Sequence, residues 1–146
     1  MTGPVERGMH MEHNKSFGAC LFIDVDNFKG VNNTYGHDEG DRILINVGRI
    51  FMQNTRDRDI VIRFGGDEFV IWMYKVDSIK AAEDTAKRIL KTSYDEAGTG
   101  LSIGIAMVEP GEKYYDAVIK RADEARYQAK AEGKGRYAVH RDAAEE

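Results

Sequence analysis

Arg63-Phe64-Gly65-Gly66-Asp67-Glu68-Phe69 stands between two strand-like runs, Ile60-Val61-Ile62 before it and Val70-Ile71-Trp72-Met73-Tyr74 after it. β-Branched and aromatic residues favour extended backbone, and a glycine pair between two such runs signals a hairpin, because glycine accepts the positive φ that tight strand connections demand. Asp67 and Glu68 follow at once. Two carboxylates at a hairpin tip are costly to bury without a cation, and a divalent metal is the usual compensation; the plain alternative is a solvated acidic turn.

Working outward, residues 17–25 form a nearly unbroken apolar run, as a strand buried on both faces would, and Asp24 and Asp26 mark its end. Residues 28–36 mix turn formers with apolar anchors. Ile43, Leu44, Val47, Ile50 and Phe51 then recur at amphipathic-helix spacing until about Asn54. A charged connector, Arg56-Asp57-Arg58-Asp59, leads into the hairpin. Ser78 is a plausible N-cap for a second helix with Ile79, Ala82, Ala86, Ile89 and Leu90 inward, broken by residues 95–100. Residues 101–108 alternate large and small side chains, which suits a strand approached closely on its small-residue side. A third helix over residues 113–132 turns Tyr114, Val118, Ala122, Ala125 and Ala129 inward, Gly133 stops it, and residues 136–139 form a last short strand.

A chain of 146 residues supports one domain with a real core. Hydrophobic content of 42% against 32% charged residues is that of a globular protein, and no apolar run reaches the length of a membrane span or a signal sequence, so a cytoplasmic location is expected. Cys20 is the single cysteine and sits in an apolar run, where a buried inert thiol is expected and no intrachain disulfide is possible. A net charge of −4 opposes polymeric nucleic-acid binding, which needs a basic field, but leaves a nucleotide open. His10 and His13 lie in a polar lead-in, where solvated imidazoles are the ordinary outcome.

The order strand, helix, two-stranded hairpin, helix, strand is β-α-β-β-α-β, the ferredoxin-like arrangement, followed by a further helix and strand. The fold class expected is therefore α/β of the α+β kind, with helices around a central, mostly antiparallel sheet. In that topology the first strand lies at the sheet's centre beside the hairpin, so Asp24 can meet Asp67 and Glu68 at one sheet end. Separated acidic residues converging beside a phosphate-sized gap are the arrangement of two-metal phosphoryl transfer, and Asp24, Asp67 and the Val25 carbonyl are candidate hard-oxygen ligands. No Walker-type loop and no dinucleotide fingerprint is present, which removes P-loop and Rossmann enzymes.

Gly65-Gly66-Asp67-Glu68-Phe69 reads letter for letter as the signature of the GGDEF diguanylate cyclases. Asp24-Val25-Asp26-Asn27-Phe28-Lys29, Asn32, Gly36-His37 and Gly40-Asp41 resemble the same family's substrate-binding stretch in order. Ser102-Ile103-Gly104-Ile105, Ala122-Asp123-Glu124-Ala125 and Tyr127-Gln128-Ala129-Lys130 are similar to its closing segments, and the match spans residues 17–139.

The resemblance implies a palm-type, nucleotidyl-cyclase-like catalytic domain over residues 17–140, after a lead-in of residues 1–16 with a degenerate first helix and before a disordered acidic tail, 141–146. It implies condensation of two GTP into cyclic di-GMP, each GTP held by one subunit of a homodimer. Asp24, the Val25 carbonyl and Asp67 would hold two magnesium or manganese ions, with Glu68 assisting, and Asp67 would help deprotonate the attacking 3′-hydroxyl. Asn32 and Asp41 would read guanine, whose N1-H and N2-H donors adenine lacks. Phe28, Lys29 and His37 would line the nucleotide, and Lys130 and Lys134 would contact phosphate. Arg56 and Asp59, in Arg-x-x-Asp form, with Arg88, would make an inhibitory site for the product.

Four departures stand out. Only Met1-Thr2-Gly3, with Pro4 and Arg7, resembles the family's opening segment; Asn33 stands where Asp is common, and Lys134 where Arg is frequent. No sensory or dimerising module is visible, so one outside this chain is expected to raise the effective concentration of paired domains. The rival expectation is a non-catalytic domain that binds GTP or cyclic di-GMP and signals by contact; a weaker one is another nucleotidyl cyclase or polymerase-like palm.

Overall fold

The computed structural model describes residues 17–141. The lead-in with His10 and His13 lies outside the described residues, as do residues 142–146. The elements are β1 Phe17–Val25, α1 Phe28–Tyr35, α2 His37–Gln53, β2 Ile60–Arg63, β3 Glu68–Tyr74, α3 Ile79–Ala97, β4 Leu101–Met107, α4 Tyr115–Ala131 and β5 Arg136–Val139. They build one sheet of order β2-β3-β1-β4-β5. The first three neighbouring pairs are antiparallel and β4–β5 is parallel, so β1 is central and flanked by the hairpin as its β-α-β-β-α-β order predicts.

Strand parity decides which face each side chain serves. Ala19, Leu21, Ile23 and Val25 of β1 pack with Leu44, Val47 and Phe51 of α2 and with Ala82, Ala86 and Ile89 of α3. Cys20 and Phe22 point the other way, to Val118, Ile119 and Ala122 of α4, together with Val70 and Trp72 of β3. β1 is thus buried on both faces. Asp24 has the parity of Cys20 and Phe22, and Glu68 that of Val70 and Trp72, so both carboxylates belong to the α4 face. Cys20 is fully buried, and that burial pushes its thiol up, against a smaller opposing pull from Arg121, so the thiolate is disfavoured.

Four local expectations are corrected. Residues 28–36 hold a helix, α1, with Gly36 at φ 93° separating it from α2. Gly30 and the Asn32-Asn33-Thr34 run are poor helix formers, and packing against α2 overrides them. Neither Gly65 nor Gly66 has positive φ. The loop closes instead through the N–H groups of Phe64 and Gly65 donating to the Glu68 carbonyl at 2.7 and 3.2 Å. α3 continues through Asp95 to Ala97 and stops at the left-handed Gly98, and Ser78 takes its N-cap position without a side-chain capping bond. Tyr115, not Tyr114, is the buried tyrosine of α4, because Tyr114 is the extended N-cap and the helical stripe starts one residue later. Among the described residues no helix is long and apolar enough to cross a membrane.

The small-residue side of β4 does receive α4. A Cβ on Gly104 would lie 2.0 Å from the Ala122 carbonyl oxygen and 2.1 Å from the Arg126 nitrogen, both rigid backbone atoms. Gly104→Ala is expected to destabilise the domain by about 3 kcal/mol by forcing α4 off the sheet. Urea denaturation should show the drop; an unchanged midpoint would mean that α4 is not seated as described.

Candidate active site

The end of β1 is fastened on three sides. Asp24 pairs in register with Glu68 of β3 and Ser102 of β4. The Val25 N–H donates to the Asp67 carbonyl at 3.2 Å, and the Asp26 N–H to the Gly100 carbonyl at 2.9 Å. The Asp26 carboxylate accepts from the Ser102 hydroxyl at 2.6 Å and from the Gly135 N–H at 2.9 Å. Asp26 is therefore a structural tie between β1, β4 and the turn after α4. These ties hold Asp24, Val25, Asp67 and Glu68 at one sheet end without using the carboxylates of Asp24, Asp67 or Glu68.

Asp24 is 3% exposed. Its Oδ2 accepts from Arg126 at 2.9 Å and from Lys130 at 2.8 Å, while Oδ1 is buried with no partner among the described residues. Burial raises its carboxyl above the ordinary range; Lys130 and Arg126 oppose this and the charge of Asp67 adds to it. Glu68 is raised mainly by burial as well, with the charges of Asp67, Asp123 and Asp24 adding and Arg126 opposing. A buried carboxylate with one oxygen unpaired costs free energy, and a hard cation is the partner such an oxygen lacks. The donor set thus fits a divalent metal, although among the described residues no three acidic, His or Cys side chains converge to ligating distance.

A second orphan lies in the nook between α1 and α2. Asn32 Oδ1 is buried and unpartnered, and a Cβ on Gly40 would stand 1.9 Å from it and 3.1 Å from the Phe28 ring. Only glycine lets α2 pass this close to the Asn32 amide. Asp41 and His37 are exposed on α2 beside this nook, and Lys29 is exposed on α1. Lys134 Nζ donates to Asn27 Oδ1 at 3.1 Å, which brings it to the corner where β1 turns into α1. Asp24, Asp67, Glu68, Lys130, Lys134 and the α1–α2 nook therefore adjoin the end of β1 or the turn that follows it.

A family model described as diguanylate cyclase, GGDEF domain, matches residues 5–136. The chain belongs to this family. Diguanylate cyclase DosC of Escherichia coli strain K12 is 41% identical over 126 residues, covering 81% of this chain and 27% of DosC. The chain thus spans about a quarter of the length of that relative. The GGDEF domain of PA1120 (TpbB or YfiN) from Pseudomonas aeruginosa superposes with a TM-score of 0.80 at 32% identity, over 86% of this chain and 78% of that one. The GGDEF domain of DgcB from Caulobacter crescentus, solved in complex with c-di-GMP, gives 0.78 at 26% identity, over 85% and 78%. The five-stranded sheet with four helices is accordingly the nucleotidyl-cyclase-like palm of GGDEF domains.

Within the GGDEF domain, Arg56 and Asp59 lie at the Tyr74 end of β3, about 20 Å along the strand from Glu68. Asp59 accepts from the Arg56 N–H and the Tyr74 N–H, both at 2.9 Å, and pairs with the Arg56 guanidinium at 2.9 Å. Arg88 of α3 reaches the Asn54 carbonyl at 3.3 Å, two residues before Arg56, so the three residues named for a product site gather at the end of α2.

Two side chains to which the sequence assigns no role at the site contribute to it, and Arg126 is one that it places only on the helical face of Lys130. Arg63 folds back to donate to the Gly65 carbonyl at 3.3 Å and the Gly66 carbonyl at 2.6 Å, shaping the signature turn. Arg126 is bonded to Asp24. Its spacing of four from Lys130 places both on one helical face, but only the packing of α4 on β4 brings that face to Asp24.

Burial works to raise the Asp59 carboxyl, but the bonds from Arg56 and the two backbone N–H groups outweigh it and hold the group below its ordinary 3.8. A depressed folded value means stabilisation that is present above the unfolded value and lost as pH falls through the folded one. Asp59→Asn is expected to cost about 2 kcal/mol at neutral pH, with the gap to wild type closing on acidification below 3.8. Urea melts at several pH values would show it, and a gap independent of pH would refute the pairing.

Proposed function

We propose that this GGDEF domain is catalytic and condenses two GTP into cyclic di-GMP. The observation that carries the reading is Asp24: a buried carboxylate with a free Oδ1, beside Asp67 and Glu68 on one side and Lys130 on the other.

Asp24, the Val25 carbonyl and Asp67 would hold two magnesium or manganese ions, with triphosphate oxygens completing the ligands. When bound, such ions stabilise charge on the attacking and leaving oxygens of phosphoryl transfer. Asp67 helps deprotonate the 3′-hydroxyl, with Glu68 beside it as a helper. The 3′-oxygen of one GTP forms a bond to the α-phosphorus of the other, and the bond from that phosphorus to the pyrophosphate leaving group breaks. A second, reciprocal transfer closes the ring and releases the second pyrophosphate. Lys130 and Lys134 balance phosphate charge at the end of β1. Asn32 presents its orphaned Oδ1 to the guanine N–H edge, Asp41 adds a carboxylate acceptor, and Phe28, Lys29 and His37 line the nucleotide.

One chain supplies one GTP site, so the reaction needs two domains face to face as a homodimer. The length of the relatives beyond this domain is consistent with a sensory or dimerising module elsewhere that keeps the pair together. Arg56, Asp59 and Arg88 would bind product as a feedback site, with Arg56 exchanging its bonds for guanine and phosphate contacts. A GTP-consuming domain works where GTP is, in the cytoplasm.

Incubation with GTP and magnesium, with chromatographic identification of the product, should yield cyclic di-GMP and two pyrophosphates. Asp67→Ala should lower the rate about 10²-fold or more. Failure of an artificially dimerised wild type to turn over, with tight cyclic di-GMP binding by calorimetry, would instead show a receptor. Gly40→Ala tests the guanine nook: it favours the helix, yet should weaken binding of a non-hydrolysable GTP analogue about tenfold, because the new methyl displaces the Asn32 amide. Unchanged affinity in the folded variant would remove Asn32 from guanine recognition.

A further inference from the structure

Of the two cations bonded to Asp24, the catalytic reading gives Lys130 a role and leaves Arg126 without one. The Arg126 side chain is 14% exposed, donates to Asp24 Oδ2 at 2.9 Å and pairs with Asp123 at 2.7 Å. Its guanidinium lies 5.4 Å from the centroid of the Phe22 ring, on the same strand face as Asp24. It cannot retreat with its helix, because the Arg126 backbone nitrogen is seated in the space that Gly104 leaves open. Lys130, 35% exposed on a flexible stem, is free to follow a phosphate; Arg126 is held by two carboxylates and a ring. Four carboxylates, Asp24, Asp67, Glu68 and Asp123, thus share two cations, and only one of the two is fixed.

We propose that Arg126 is a positioning residue of the metal site. It clamps Asp24 through Oδ2, leaves Oδ1 as the free oxygen of that carboxylate, and acts as a permanent counter-charge that keeps divalent-cation affinity low until a triphosphate brings negative charge of its own. The proposal rests on Asp24 being a metal ligand. Metal and nucleotide then bind as a unit, and the empty site does not sequester metal. A fixed positive charge a few ångströms away opposes a divalent ion, and after screening by solvent its removal is worth about tenfold in affinity.

The test is manganese binding to the nucleotide-free protein, followed by calorimetry and by the loss of the free-ion EPR signal. Wild type should bind weakly, and Asp24→Asn should abolish that binding. Arg126→Leu should bind about tenfold more tightly, and Arg126→Lys, which keeps the charge, should stay near wild type. A non-hydrolysable GTP analogue should narrow the difference between wild type and Arg126→Leu. Arg126→Leu should also melt lower than wild type without metal and recover most of the loss when manganese is added. If Arg126→Leu does not fold, Arg126→Gln keeps the shape and removes the charge, and the same comparison decides. Equal or weaker binding in the neutral variants, with Asp24→Asn still abolishing binding, overturns the role of Arg126 and leaves Asp24 a ligand. Absence of Asp24-dependent binding in wild type even with the GTP analogue overturns the metal reading and this proposal with it.

Discussion

A carboxylate buried at the meeting of three strands is the constraint on which the rest of this domain turns. Asp24 sits between Glu68 and Ser102 in register, and one of its oxygens is satisfied twice while the other is not satisfied at all. A charge in that position is tolerable only with cations close by. The fold supplies them from α4, and everything that seats α4 therefore also sets the charge balance of the site. The absence of a side chain at Gly104 lets the helix backbone touch β4, and that contact carries Arg126 and Lys130 to the carboxylate.

Three glycines around the site act by what they omit rather than by how they bend. Gly104 admits a helix, Gly40 admits the Asn32 amide, and Gly66 leaves open space around its Cα at the signature turn. Gly65 and Gly66 need no left-handed backbone; the turn is shaped by Arg63 holding their carbonyls and by the Glu68 carbonyl accepting two N–H groups. Open space at the turn suits close approach of a ligand to the backbone. The opposite end of β3 is organised differently: Asp59 spends its bonds on Arg56 and Tyr74, so any ligand of Arg56 must compete with a stabilising clasp.

Much of the architecture was legible in the chain because apolar periodicity reports burial directly. The continuous run of residues 17–25 becomes the central strand, the spacing of Leu44, Val47 and Phe51 becomes the inner face of α2, and residues 136–139 form the last strand as read. Family motifs named the carboxylates. Residues 28–36 misled because weak local helix formers were read without the packing that overrides them, and Tyr114 because a one-residue shift in helix start rotates the whole stripe.

The sequence by itself determined the strand order and every helix but α1, the parity of Asp24 and Glu68, and the family to which those residues belong, since each is written in local spacing. Only the tertiary structure decided that Arg126 faces Asp24, 102 residues away, that Oδ1 of Asp24 and Oδ1 of Asn32 lack partners, and that Gly40 and Gly104 are contact points. The reason is physical. Side-chain period and turn chemistry act over a few residues, whereas charge compensation and close packing depend on which elements meet in space, and that is fixed by the global arrangement of sheet and helices.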